Sequence, residues 1–229
     1  MEYIVKILKI QIVTHDVYQY TLTKPDGYSF IPGQATLVGI NKPNWSDIRH
    51  PFTFTSLNTD KELQFTIKSY DTKLHPNHSG MTAMLPTLTV GDELIIEEPW
   101  GTINYQGTGV FIAGGAGITP FIAIFRDLHK KKQISDNILI YSNKKEEDII
   151  YHQELIEIFK DNPNNLILTL TREENSKYLY GRVDSKFLTN HIKNIKTNFY
   201  ICGPREMKTQ LISDLNKLGA DSQSIVFEN

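Results

Sequence analysis

Apolar and polar positions alternate through the first hundred residues. Tyr18, Tyr20 and Leu22 alternate with Gln19, Thr21 and Thr23, and Leu63, Phe65 and Ile67 with Gln64, Thr66 and Lys68. A period of two predicts strands with one buried face. Pro25-Asp26-Gly27, Pro32-Gly33, Val90-Gly91-Asp92 and Trp100-Gly101 punctuate these runs as turns. Short strands with little helix between them predict an antiparallel barrel.

The rhythm changes after residue 107. Val110–Ala113 is wholly apolar, as expected of a strand buried on both faces. Pro120 suits the first turn of a helix, and Phe121, Ile124, Phe125 and Leu128 follow at helical spacing. A second apolar strand is expected at Ile138–Tyr141, then a helix with His152, Leu155, Ile156 and Phe159 on one face. Strands at Leu166–Leu170, Phe199–Cys202 and Ile225–Phe227 continue the series, with a helix carrying Leu211, Leu215 and Leu218 between the last two. This βαβ rhythm predicts a parallel, doubly wound sheet. The expected organisation is a β-barrel domain over residues 1–103 and a Rossmann-like α/β domain over 108–229, joined near Gly107 and Gly109.

Composition excludes several classes. Of the 229 residues 40% are hydrophobic and 22% charged, a globular balance that argues against disorder. A net charge of −2 gives no support to non-specific nucleic-acid binding, which needs a basic face. The one cysteine, Cys202, rules out an intrachain disulfide and an all-cysteine iron–sulfur cluster. The N-terminal MEYIVKILKI places lysines among its apolar residues and has no signal-peptide core, and no apolar run reaches the ~20 residues that span a bilayer. We therefore expect a cytoplasmic monomer that binds neither membrane nor nucleic acid.

Three segments carry candidate chemistry. Gly114-Gly115-Ala116-Gly117-Ile118-Thr119-Pro120 lies between a buried strand and a helix start. Glycines there let the backbone approach a ligand, and a helix N-terminus presents unpaired N–H groups to a pyrophosphate. A tight turn without a ligand is the alternative. The second segment is Arg49-His50-Pro51-Phe52-Thr53. On a strand His50 and Phe52 share a face and Thr53 points away, so a ring, a hydroxyl and a cation are available to a flat, phosphorylated cofactor. An ordinary strand reads the same way. The third is Cys202-Gly203-Pro204, where a predicted parallel strand turns at its carboxyl end, the usual place for ligands in such sheets.

Together with F-I-P-G-Q, F-T-I-K and S-G-M-T in fixed order, these segments make nearly the whole chain resemble the ferredoxin–NADP reductase superfamily. The resemblance implies a Greek-key barrel that binds FAD, with FMN as the alternative, and an α/β domain that binds NADPH or NADH. Phe52 matches the aromatic that packs on the flavin, and Thr53 the hydroxyl near flavin N5. His50, with Pro51 beside it, stands where the family's phosphate-binding arginine is usual, in the H-P-F-T form found in ferric reductases. Lys68, Gly80, Met81 and Thr82 match positions around the flavin phosphates. Gly114, Gly115, Gly117, Thr119 and Pro120 match the NAD(P) pyrophosphate loop. Cys202, Gly203 and Pro204 match the segment that meets the nicotinamide, with Cys202 as a pocket wall and not a nucleophile. Ser142, Asn143 and Lys144 match a segment near the adenosine ribose, and Arg172 and Arg182 match cations that some members use for the 2′-phosphate. Many members close on an aromatic that covers the flavin, whereas Glu228-Asn229 stand at this end.

The implied activity is hydride transfer from NAD(P)H to flavin, then single-electron transfer to a carrier such as ferredoxin or flavodoxin. The alternatives are a flavin or quinone reductase with a diffusible acceptor, and a non-catalytic nucleotide-binding module. No metal site is expected, since His75 and His78 lack further ligands nearby. Lys130, Lys131 and Lys132 read as a helix C-terminal charge cap, with carrier docking as the sharper alternative.

Overall fold

The computed structural model describes residues 1–70 and 79–227. Two compact units, Met1–Gly101 and Thr102–Asn229, divide the chain. His75 and His78, and Glu228 and Asn229, lie outside the described residues.

Six strands build the first unit: β1 (Tyr3–Thr14), β2 (Val17–Thr23), β3 (Ala35–Ile40), β4 (His50–Thr53), β5 (Glu62–Lys68) and β6 (Glu93–Ile96). They pair antiparallel in the order β4-β3-β6-β1-β2-β5. The two edges meet where Phe54 bridges Phe65 and the Thr55 N–H donates to the Gln64 carbonyl at 2.8 Å, which closes the sheet into a barrel. β6 returns to lie beside β3 after the β3-β4-β5 run, which is the Greek-key connection. Strand alternation sends Val5, Ile7, Tyr20, Leu22, Phe65 and Ile67 inward. Met81, in the four-residue helix α1 (Met81–Met84), and Leu85 just after it complete that core.

In the second unit, β7 (Gly109–Gly114), β8 (Ile138–Asn143), β9 (Leu166–Leu170), β10 (Leu179–Tyr180), β11 (Asn198–Cys202) and β12 (Ile225–Phe227) form a parallel sheet in the order β10-β9-β8-β7-β11-β12. Its helices are α2 (Thr119–Lys130), α3 (His152–Ile158), α4 (Ser185–His191) and α5 (Arg205–Lys217). Every residue of β7 is buried, because helices cover both faces. Val110 and Ile112 pack with Leu188 of α4 and Leu211 and Leu215 of α5. Phe111 points the other way, edge-on to Phe121 and Phe125 of α2 at 5.1 and 4.8 Å. On α3 the inward face is Leu155, Ile158 and Phe159; Ile156, expected on that face, is 44% exposed. Chain order reverses between β7 and β11, so the crevice of this sheet lies at their carboxyl ends.

Candidate functional site: two nucleotide sites

In the barrel, β4 is paired on one side only, to β3, with Thr53 opposite Ala35 and Phe52 opposite Thr36. Phe52 is half-buried and packs against the barrel core. Thr53 is 9% exposed, and its hydroxyl has no hydrogen-bond partner among the described residues. His50 and Pro51 are exposed. Arg49 beside them is half-buried and already engaged. Its guanidinium bonds the Glu2 carboxylate at 2.8 Å and the Ser46 carbonyl, and lies 3.6 Å from Glu97.

A second corner gathers Lys68 and the Gly80–Thr82 turn. The Ser69 N–H donates to the Asp16 carbonyl at 2.7 Å, and the Ser69 hydroxyl donates to the Thr82 carbonyl at 3.0 Å. The Lys68 ammonium lies 2.5 Å from the Asp16 carboxylate. Gly80 is extended and precedes α1 without a side-chain cap. Met81 is 1% exposed inside the barrel core, so only its backbone is available to a ligand. A half-exposed ring, an uncommitted hydroxyl and a partly exposed cation are the donor set a flavin nucleotide requires. The residues present fit FAD.

In the α/β unit, the glycine loop and the Cys202-Gly203-Pro204 turn meet at the reversal point. Cys202 pairs with Ala113 in the sheet. A Cβ on Gly117 would stand 2.3 Å from the Cys202 carbonyl oxygen, and one on Gly114 would stand 2.5 Å from the Met207 sulfur. Packing against the β11 turn backbone therefore demands the glycine at 117, whereas at 114 the nearest atom is the end of the flexible Met207 side chain. Gly115 differs: its φ is +52° and a Cβ there would meet nothing within 4 Å, leaving open space above the loop. The Tyr141 hydroxyl donates to the Gly115 carbonyl at 3.0 Å and accepts the Ile150 N–H at 3.3 Å, which fixes the loop from below. Burial pushes that phenol well above its ordinary pKa. Thr119 donates back to the Ala116 carbonyl at 3.0 Å, and Pro120 sits in the first turn of α2.

Toward β10 the structure brings the remaining candidates together. The Thr171 N–H donates to the Asn143 carbonyl and the Arg172 N–H to the Lys144 carbonyl, both at 2.9 Å. Arg182 follows Gly181, whose N–H donates to Leu170 at 2.9 Å. Lys144, Arg172 and Arg182 are exposed and form no ion pair among the described residues. The acids beside them are engaged. Glu146 accepts the Tyr178 hydroxyl at 2.8 Å and lies 3.6 Å from Lys177, and both partners hold its pKa below the usual carboxylate value. The Tyr178 phenol is pushed up to about 12 by desolvation and by that carboxylate. Glu173 accepts the Glu146 N–H at 3.1 Å and the Asn175 amide at 2.9 Å. Asn143 is 5% exposed, and neither its side-chain oxygen nor its nitrogen meets hydrogen-bond geometry with a partner among the described residues. An orphaned buried amide at the carboxyl end of β8, beside exposed cations, fits a nucleotide ribose and phosphate.

Two families match in tandem: residues 2–104 match the FAD-binding domain and residues 111–211 the oxidoreductase NAD-binding domain. The chain belongs to the ferredoxin–NADP reductase superfamily. It binds FAD in its first part and a nicotinamide nucleotide in its second. Human NADH-cytochrome b5 reductase 2 is 27% identical to it, over 99% of this chain and 94% of the relative. The cytochrome b5 reductase domain of Ulva prolifera nitrate reductase has the same fold at a TM-score of 0.86, with 21% identity over 99% of this chain and 97% of that one. A ferredoxin NADP+ reductase from Neisseria gonorrhoeae, solved with FAD and NADP, superposes at 0.84, with 20% identity over 100% and 98% of the two chains. As a member of this superfamily the protein is an FAD- and NAD(P)-dependent oxidoreductase.

Sequence reasoning missed Asp16, Ser69 and Met207, and placed Tyr141 only at the end of an apolar strand. Asp16 sits in the turn between β1 and β2, and its link to Lys68 exists only once β2 pairs with β5, Val17 opposite Lys68. The Tyr141 signal was present: a tyrosine in an otherwise aliphatic buried strand needs a partner for its hydroxyl.

Proposed function

We propose that this protein takes a hydride from NAD(P)H onto its FAD and passes the electrons singly to a separate carrier protein. The observation that carries the reading is Thr53, a nearly buried residue whose hydroxyl is committed to nothing among the described residues, next to the half-exposed ring of Phe52. Bound FAD supplies the hydride and single-electron chemistry, and the protein positions it. Phe52 offers the ring a face to lie on. Thr53 offers a hydrogen bond at the end of β4, beside the Phe54–Phe65 bridge that closes the barrel. Lys68 supplies positive charge for the diphosphate. Tyr141 holds the Gly115 carbonyl and so keeps the coenzyme loop in one conformation. Cys202 and Gly203 form the wall at the end of β11 that a nicotinamide would meet, with the thiol as a packing group.

A carrier as the acceptor is supported by the relatives, one named for cytochrome b5 and one for ferredoxin. The test is anaerobic. The FAD-loaded protein is reduced with NADPH or NADH, then mixed with cytochrome b5, ferredoxin or flavodoxin in turn. Rapid one-electron reduction of one of these supports the reading. Rapid oxidation by free flavin or quinone, with every carrier inert, would replace it with the diffusible-acceptor reading.

A further inference from the structure

Lys68 is not a bare cation waiting for phosphate. Its ammonium meets the Asp16 carboxylate at 2.5 Å, and Asp16 is the only acid it pairs with among the described residues. The carboxylate is itself held in place. Thr14 donates to its Oδ1 at 3.2 Å, and His15 Nε2 lies 3.5 Å from its Oδ2. The backbone fixes the geometry further, because Val17 pairs with Lys68 and the Ser69 N–H donates to the Asp16 carbonyl at 2.7 Å. Through the Ser69 hydroxyl the same corner reaches the Thr82 carbonyl. A fixed anion therefore stands in contact with Lys68 in the corner that carries the Gly80–Thr82 turn.

We infer that Asp16 is a built-in counter-ion that competes with the flavin diphosphate for Lys68 and so sets the affinity for FAD. The inference rests on the reading of Lys68 as a flavin-phosphate cation. A diphosphate placed at Lys68 brings a second anion to an ammonium already neutralised, and the two anions repel at short range. Asp16 thus weakens FAD binding while keeping the corner compensated in the flavin-free chain. Both side chains are about a quarter exposed, 29% for Lys68 and 26% for Asp16, so solvent and salt temper the effect.

The competition makes a prediction opposite in sign to structural damage: removing Asp16 improves binding. The experiment titrates flavin-free protein with FAD, following the quenching of flavin fluorescence, for wild type, Asp16→Asn, Lys68→Met and the double variant, at two salt concentrations. Asp16→Asn should lower the Kd for FAD about two- to tenfold, the scale of a partly exposed ion pair, with a steeper salt dependence. Lys68→Met should raise the Kd, and the gain from Asp16→Asn should vanish in the Lys68→Met background. Asp16→Ser, which also removes the charge, serves as the second variant and should shift the Kd in the same direction. Weaker or unchanged FAD binding in folded Asp16→Asn and Asp16→Ser, or a gain that persists without Lys68, overturns the inference. An unchanged Kd in Lys68→Met overturns the assignment of Lys68 as well, whereas weakened binding in Lys68→Met with no gain from Asp16→Asn removes the counter-ion role alone.

Discussion

Gly115 and Gly117 lie in one loop and answer to different constraints. Gly117 faces the Cys202 carbonyl, where a Cβ would stand at 2.3 Å, so an alanine must push the loop and the β11 turn apart. Gly115 has room for a methyl group but a φ of +52°, which costs an alanine on the order of 1–2 kcal/mol. Gly117→Ala should therefore lower the melting temperature and weaken NADP+ binding more than Gly115→Ala does. Equal tolerance of both, by thermal unfolding and by titration, would remove the packing account of the loop. Tyr141→Phe takes the donor from the half-buried Gly115 carbonyl, a loss of roughly 0.5–1.5 kcal/mol. Its KM for the nicotinamide coenzyme should rise while FAD affinity holds. Thr53→Val should slow flavin reduction on the order of tenfold or more, the scale of one lost hydrogen bond, and leave FAD binding nearly intact. Stopped-flow reduction of the FAD-loaded variant measures this, and an unchanged rate removes the role. At this scale the glycine loop was legible in the sequence, but its cause was not. Gly117 is small because of Cys202, a residue far along the chain that local pattern cannot bring to it.

At the scale of elements, the carboxyl ends of β8, β9 and β10 act as one surface. Exposed Lys144, Arg172 and Arg182 stand there without acid partners among the described residues, while Glu146 and Glu173 are engaged with Tyr178, Lys177 and Asn175. One charge-assisted hydrogen bond to a 2′-phosphate contributes about 1.5–3 kcal/mol, or at least about tenfold. We therefore expect kcat/KM to favour NADPH over NADH, although the human relative is named for NADH. Arg172→Ala should cut the NADPH value and spare the NADH value. Equal losses with both coenzymes, or NADH as the better substrate of the wild type, would mean these cations do not read the phosphate. α2 starts at the glycine loop and runs 12 residues, about 18 Å, so its terminal Lys130 and the following Lys131 and Lys132 lie at the far end from the coenzyme loop. Neutralising Lys131 and Lys132 should leave carrier reduction unchanged, as measured by steady-state assay. Strands with strong alternation and helices with a regular apolar face were legible. α4 and β10 were not: α4 buries a single side chain, Leu188, and starts on the Asp184 cap, and β10 is two exposed residues held by β9. Neither carries a periodic signal, because tertiary pairing makes them.

At the scale of the whole molecule, the chain joins two nucleotide sites, each built from elements distant in sequence. The barrel supplies Phe52, Thr53 and Lys68 from two strands that are neighbours only because the sheet closes on itself at Phe54 and Phe65. The α/β sheet supplies the reversal point where Gly114 and Cys202 end adjacent strands. The order of the motifs in the sequence was enough to infer both folds, since each motif falls at a strand end that the topology turns into a site. The electron acceptor was not legible, because it is chosen by surface shape and charge and not by the nucleotide motifs. The most direct test of the account loads the protein with FAD and mixes it anaerobically with one equivalent of NADPH in a stopped-flow spectrometer. Rapid and complete bleaching of the oxidised flavin band should follow, and the band should return when a one-electron carrier protein is added. A flavin that binds but is reduced by neither NADPH nor NADH would contradict it.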